Sequence, residues 1–180
     1  MRMLPIAFYC FYNKTEDNDI INIVRNTSSI THAHEISIIG CYMYVKYIIF
    51  ILSNNNKTES YKLLQKIDYS IFNKDNINLY ERIIKYDISK YSLDTIKSTG
   101  FVVDTLESAL WVILNTESFN EAIIGSVNLG GDTDTIAAIT GSIAGILYGY
   151  DSINEKWIKD IKNKELLSKY IYEFTNTLNL

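Results

Sequence analysis

An all-α fold is what this sequence predicts, and three observations carry the prediction. One proline and eight glycines in 180 residues leave little material for the tight turns of an all-β protein. Ile, Leu, Lys, Asn and Tyr fill long segments in which apolar residues recur at helical spacing. The apolar share of 47% suits a chain that buries a core, and the length suits one domain over residues 1–180. The excess of Asn, Ile, Lys and Tyr matches an AT-rich coding sequence, so the 14 tyrosines are weak evidence for an aromatic binding surface.

The segments follow in order. Residues 1–12 are apolar nearly throughout and read as a buried helix that starts without a cap. Asp17 or Asn18 can cap a short helix through Arg25. Thr31 can cap a long helix that takes in His32, His34 and Glu35 and runs to about Leu52, where Ser53 and three asparagines stop it. Residues 57–69 and 77–91 carry apolar positions at helical spacing with polar residues between, the pattern of amphipathic surface helices, and 14–17 and 73–76 read as loops. Past Gly100, Asp104 opens a helix through Leu114, with Glu107 three residues on as a variant capping box. Residues 118–127 form a short helix, and Asn128-Leu129-Gly130-Gly131 a loop leading to a helix from about Thr133. Gly141, Gly145 and Gly149 fall on one stripe of that helix. Glycine costs about 1 kcal/mol relative to alanine in a helix interior, so three on one face imply a second backbone packed close by. Residues 154–178 close the chain as one or two helices anchored by Trp157.

Charge and cysteine usage narrow the partners. A net charge of −4 without a dense Lys/Arg cluster lacks the footprint that phosphate neutralisation demands, which excludes nucleic acid. The longest apolar run, 36–52, has Glu35 at its edge and Lys46 inside, and falls short of the roughly 20 residues of a spanning helix, so no membrane partner is expected. Cys10 and Cys41 lie in apolar runs without metal or disulfide spacing, as reduced thiols of a cytoplasmic protein would. Arg2 and Pro5 break the charged-then-apolar pattern of a secretory leader.

The chemistry concentrates at Gly130-Gly131-Asp132-Thr133-Asp134-Thr135. One Asp suffices to cap a helix. A second carboxylate so near repels the first unless a cation, a proton or the positive end of a helix compensates. Asp132, Asp134 and Thr135 offer the hard oxygens that Mg²⁺, Mn²⁺ or Ca²⁺ prefer, though the closing Glu of an EF-hand loop is absent. Capping and solvation are the alternative. His32 and His34, two apart at a helix start, would point about 200° apart, so at most one faces a given pocket. Asp104 and Glu107 suit acid/base work or capping, and Phe101 suits stacking on a flat ligand or core packing. No nucleophile elbow, phosphate-binding glycine loop or catalytic Cys/His pair occurs.

Taken together, Thr31-His32-Ala33-His34, the segment GFVVDTLESALWVILNTESFNEAI at 100–123 and SVNLGGDTDTIAAITGSIAGILYG at 126–149 resemble the ADP-ribosylglycohydrolase family, which includes the dinitrogenase reductase-activating glycohydrolases. The resemblance covers almost the whole chain in order. It implies an all-α, orthogonal multi-helix bundle that removes ADP-ribose from a modified protein side chain or related acceptor, breaking the bond at C1″ with two Mg²⁺ or Mn²⁺ ions. By that resemblance Asp132, Asp134 and Thr135 are metal ligands and His32 contacts bound ADP-ribose. Gly130 and Gly131 then allow close approach to the ribose and metals, and Phe101 lies near the nucleotide. The ions would polarise the distal ribose and position a water.

The family pattern also holds an N-terminal half, with an acidic residue near its beginning and a Thr-Asp-Asp-Thr type segment supplying the other ligands. Neither occurs here. In the family a Gly-Asn-Gly-Ser run leads into a Met-Arg pair, and this chain begins at Met1-Arg2. The catalytic acid is therefore expected outside these residues, in a truncated ancestral portion or a separately encoded N-terminal half. This chain alone would be weakly active or inactive. A non-catalytic ADP-ribose-binding remnant and a purely structural helical protein are the alternatives.

Overall fold

The most apolar long run of the sequence becomes the axis of the fold. In a computed structural model that describes residues 1–180, the order is α1 (Leu4–Tyr12), α2 (Asp17–Ser29), α3 (Glu35–Asn54), α4 (Lys57–Gln65), α5 (Lys74–Asn78), α6 (Glu81–Lys85), α7 (Val102–Leu114), α8 (Phe119–Asn128), α9 (Thr133–Tyr148), α10 (Glu155–Asp160) and α11 (Lys164–Thr175), with no strand. Helices α1, α2, α4, α7 and α9 all pack on α3. At 20 residues α3 is long and apolar enough to cross a membrane by length and composition, longer than the sequence run suggested, yet most of it is buried inside the protein. Ile39, Met43, Tyr47, Ile48 and Ile51 are fully buried there, each contributing about 1.5–3 kcal/mol by removing apolar surface from water. Lys46 survives in this helix because its ammonium reaches Asp17 Oδ1 at 2.7 Å and lies 5.2 Å from the Phe50 ring centroid.

The tyrosines are packing pins. A buried phenol needs an acceptor. Tyr47 donates to Lys57 O at 3.1 Å, Tyr61 to Ile83 O at 2.7 Å, Tyr69 to Leu64 O at 2.8 Å and Tyr80 to Ile36 O at 2.7 Å. Each bond ties one helix or turn to a neighbouring backbone.

Several boundaries depart from the expectation. Helix α3 begins at Glu35, not Thr31: Thr31 and His32 turn out of α2 through bonds to Ser28 O, and His34 takes the cap position, its Nδ1 accepting the Ile36 N–H at 3.2 Å. Helix α2 runs on to Ser29, past the expected Arg25. The single helix expected over 77–91 is instead α5, α6 and a 3₁₀ turn at Ile88–Lys90, and the loop expected at 73–76 starts α5, because Asn73 Oδ1 accepts the Asp75 N–H at 2.8 Å. Tyr80, Ile83 and Ile88 are all buried, and the chain turns at Tyr80 and at the extended Tyr86.

Asp104 and Glu107 do not form a capping box. Phe101 is the N-cap residue of α7, and the Thr99 hydroxyl accepts the Phe101 N–H at 3.1 Å while donating to Asp104 Oδ2 at 2.6 Å. Glu107 is buried against Arg82, whose Nε lies 3.3 Å from Oε2. Burial pushes its carboxyl above the ordinary range, with the Arg82 charge opposing. A folded-state value above the unfolded one means that the stability Glu107 contributes is present below the unfolded value and lost as pH rises through the folded one. Glu107→Gln is expected to flatten this acid limb. Urea midpoints of the two proteins across the limb check it, and parallel curves would contradict it.

The glycine stripe does not receive a second backbone. A Cβ on Gly141 would lie 2.9 Å from Ile123 Cδ1, one on Gly145 would lie 4.0 Å from Phe119, and Gly149 ends the helix at φ +80°. Beyond them opens an apolar groove of about 470 Å³ walled by Leu4, Phe8, Leu52, Phe119 and Ile146. Helix α1 is apolar all round, a character expected of a helix enclosed on every side, yet it buries only Ala7 and Cys10. Trp157 packs on Phe119 with ring centroids 6.4 Å apart, anchoring α10. Helix α11 buries nothing and exposes Leu166, Leu167, Tyr170 and Ile171.

Candidate active-site cleft

The start of α9 is held against the turn before α7. Asp132 N–H donates to Ser98 O at 2.8 Å, and the Ser98 hydroxyl donates to Leu129 O at 3.2 Å. Gly130 and Gly131 supply the two positive φ angles, +76° and +64°, that swing the chain into the helix. A Cβ on Gly131 would lie 2.1 Å from Ser98 O, whereas one on Gly130 would meet nothing within 4 Å. Glycine at 131 is thus dictated by Ser98, and Gly130 leaves open space.

Asp132 is the N-cap residue of α9, yet its carboxylate accepts no N–H of the first turn. Its side-chain partner is the Thr135 hydroxyl, which donates to Oδ1 at 3.1 Å. Oδ2 lies 3.1 Å from the place a Cβ would occupy on Gly100, so the bare Gly100 backbone gives the carboxylate its room. Asp134 is exposed in the same turn.

Asp132 and Thr135 open into a cleft of about 890 Å³, within the range of small-molecule sites. His32, Phe101, Arg2 and Tyr44 line it with them, and Asp132 is the one carboxylate on its walls. Both histidines face the cleft, contrary to the helical expectation, because the segment before α3 is not helical. His34 is at its N-cap with an extended backbone. Phe101 is 46% exposed on the cleft wall, where an aromatic ring suits stacking. Tyr44 bonds Ser142 at 2.6 Å, and burial pushes its phenol up to about 12, so it stays neutral. Asp134, Gly130, Gly131 and Asp104 are not among the lining residues. Sequence reasoning missed Arg2, Gly100 and Tyr44. Only contact across the fold places them in the cleft.

As a metal centre the cleft is incomplete. The oxygens of Asp132 and Thr135 are of the right chemical type for Mg²⁺ or Mn²⁺. However, no group of three or more His, Cys, Asp or Glu side chains comes together to hold an ion. The donors present do not by themselves fit a dinuclear site.

A sequence model of the ADP-ribosylglycohydrolase family matches residues 1–179. The chain belongs to the ADP-ribosylglycohydrolase family. It is 34% identical over 144 residues to the ADP-ribosylarginine hydrolase Tri1 of Serratia proteamaculans (strain 568), an alignment covering 78% of this chain and 36% of that protein. It is 37% identical over 68 residues to the ADP-ribosyl-[dinitrogen reductase] glycohydrolase of Rhodospirillum rubrum, covering 38% and 23% respectively. A solved ADP-ribosylglycohydrolase-related protein complex shares the fold, with a TM-score of 0.73 at 20% identity over 98% of this chain and 57% of that one. This ADP-ribosylglycohydrolase chain therefore spans about a third of the Serratia relative and little more than half of the structural one.

Proposed function

We propose that the cleft binds ADP-ribose and belongs to a hydrolase that releases ADP-ribose from a modified protein side chain or related acceptor. The observation that carries this reading is the meeting of Asp132, Thr135, His32 and Phe101 in one cleft, although a hundred residues separate the extremes in sequence. Phe101 offers the stacking face for adenine, His32 and Arg2 offer donors for phosphate oxygens, and Asp132 with Thr135 offers oxygens toward ribose hydroxyls or cations. Asp132, Asp134 and Thr135 contribute part of a Mg²⁺ or Mn²⁺ site, and further ligands with the catalytic acid come from a segment equivalent to the relatives' additional length. That segment, on the same polypeptide or separately encoded, also covers the groove between α1 and α9. Family membership and the relatives' names support the reaction class, and the single carboxylate of the cleft supports low activity for these 180 residues alone.

The same observation favours a second reading, an ADP-ribose-binding protein without turnover. Calorimetry with ADP-ribose, with and without Mg²⁺, separates the two. The hydrolase reading expects binding that Mg²⁺ strengthens and that Phe101→Ala weakens. Binding indifferent to Mg²⁺ supports the second reading, and no binding under either condition overturns both.

A further inference from the structure

Arg2, Thr31 and His32 form a hydrogen-bonded chain on the cleft wall. Arg2 Nη2 donates to Thr31 Oγ1 at 2.8 Å, and His32 Nδ1 lies 2.8 Å from the same oxygen. A guanidinium has no acceptor, so the Thr31 oxygen must accept from Arg2. Its hydroxyl hydrogen then points to the one protein acceptor recorded beside it, His32 Nδ1. The opposite arrangement, with a hydrogen on Nδ1, would use both lone pairs of the Thr31 oxygen and leave its hydroxyl hydrogen without a protein partner. The Arg2 charge also polarises the Thr31 O–H and makes it a better donor.

We propose that Arg2, acting through Thr31, fixes His32 as the neutral Nε2–H tautomer and so makes it a hydrogen-bond donor to ligand held in the cleft. Arg2 and Thr31 are positioning residues in this scheme. The neighbouring imidazole follows the same logic by a separate route, because His34 Nδ1 accepts the Ile36 N–H at 3.2 Å and its free N–H is then also Nε2. Two imidazoles lining the cleft thus meet the ligand as donors. That wall suits the acceptor oxygens of a phosphate or a ribose, and it rejects a guanidinium or ammonium group, which brings only donors. The cationic part of an arginine-linked substrate would have to lie elsewhere, toward Asp132. This orientation rests on the proposed ADP-ribose site, whereas the tautomer does not.

Nitrogen-15 spectra of the histidine side chains test it, recorded where the rings are neutral. The wild-type chain is expected to show His32 with an unprotonated Nδ1. Thr31→Ser, which keeps the hydroxyl, is expected to match it. Thr31→Val and Arg2→Met are expected to bring in an Nδ1–H population at His32 while His34 stays unchanged as an internal control. Loss of the hydroxyl is expected to weaken ADP-ribose binding about fivefold to tenfold, with Thr31→Ser restoring it. A His32 spectrum in Thr31→Val identical to the wild type overturns the relay whatever the cleft binds. The expected spectra with no ADP-ribose binding by any protein, wild type included, uphold the relay and overturn the reading of the cleft instead.

Discussion

Asp132→Ala is expected to reduce ADP-ribose release more than about a hundredfold in the protein supplied with the segment its relatives carry, while leaving the fold's stability nearly unchanged. The two halves of this expectation come from the same geometry. Asp132 holds the one carboxylate on the walls of the cleft, so its removal strips the site of its only fixed negative charge within this chain. With Asp132 as a ligand of the proposed cation site, its loss should cost more than the factor of about 10–100 lost with a group that merely orients a ligand. The carboxylate nevertheless caps nothing, since no N–H of the first turn of α9 donates to it, and its one side-chain bond is the Thr135 hydroxyl at 3.1 Å. The capping increment of about 1 kcal/mol therefore should not appear. Release of ADP-ribose from a modified protein, set beside a urea denaturation curve, reads both quantities. A variant that retains activity but loses about 1 kcal/mol would show that Asp132 serves the helix and not the cleft.

The sequence made the helices legible where periodicity was long and obscured them where a tertiary contact bent the chain. Residues 36–52 read as a buried helix because every face is apolar, and α3 is that helix. Residues 77–91 read as one amphipathic helix, but the chain leaves the helix at the extended Tyr86, where the Tyr61 hydroxyl and the Gln65 amide donate to the Ile83 and Tyr86 carbonyls. Capping arguments failed at Thr31 and Asp104 for a shared reason. Both side chains were engaged elsewhere, Thr31 with Arg2 and His32, Asp104 with Thr99, and those partners are set by the fold. At the candidate site, the surplus carboxylate after the double glycine marked a turn of chain whose Asp132 lines the cleft. That Asp132 enters the cleft while Asp134 stays exposed depends on how Gly100 and Ser98 pack against that turn, and no local pattern encodes it.

That packing makes Gly131→Ala the substitution with the largest expected effect on stability, and Gly130→Ala its control. Both glycines have positive φ, so either alanine carries the left-handed penalty of about 1–2 kcal/mol. At 130 nothing lies within 4 Å of the added methyl, and the penalty should stop there. At 131 the methyl would fall 2.1 Å from Ser98 O and 2.9 Å from Ser98 Oγ, a collision that only a shift of backbone relieves. The same Ser98 carbonyl accepts the Asp132 N–H at 2.8 Å, so moving it breaks the bond that seats Asp132. Overpacking of this kind costs about 1–3 kcal/mol further, for a total of roughly 2–5 kcal/mol at 131. Ligand binding should follow the same order, lost in Gly131→Ala through displacement of Asp132 and kept in Gly130→Ala. Urea denaturation of the pair decides the matter. Equal losses in the two variants would mean that Ser98 yields freely and that the turn, not its packing on Ser98, holds Asp132 in place.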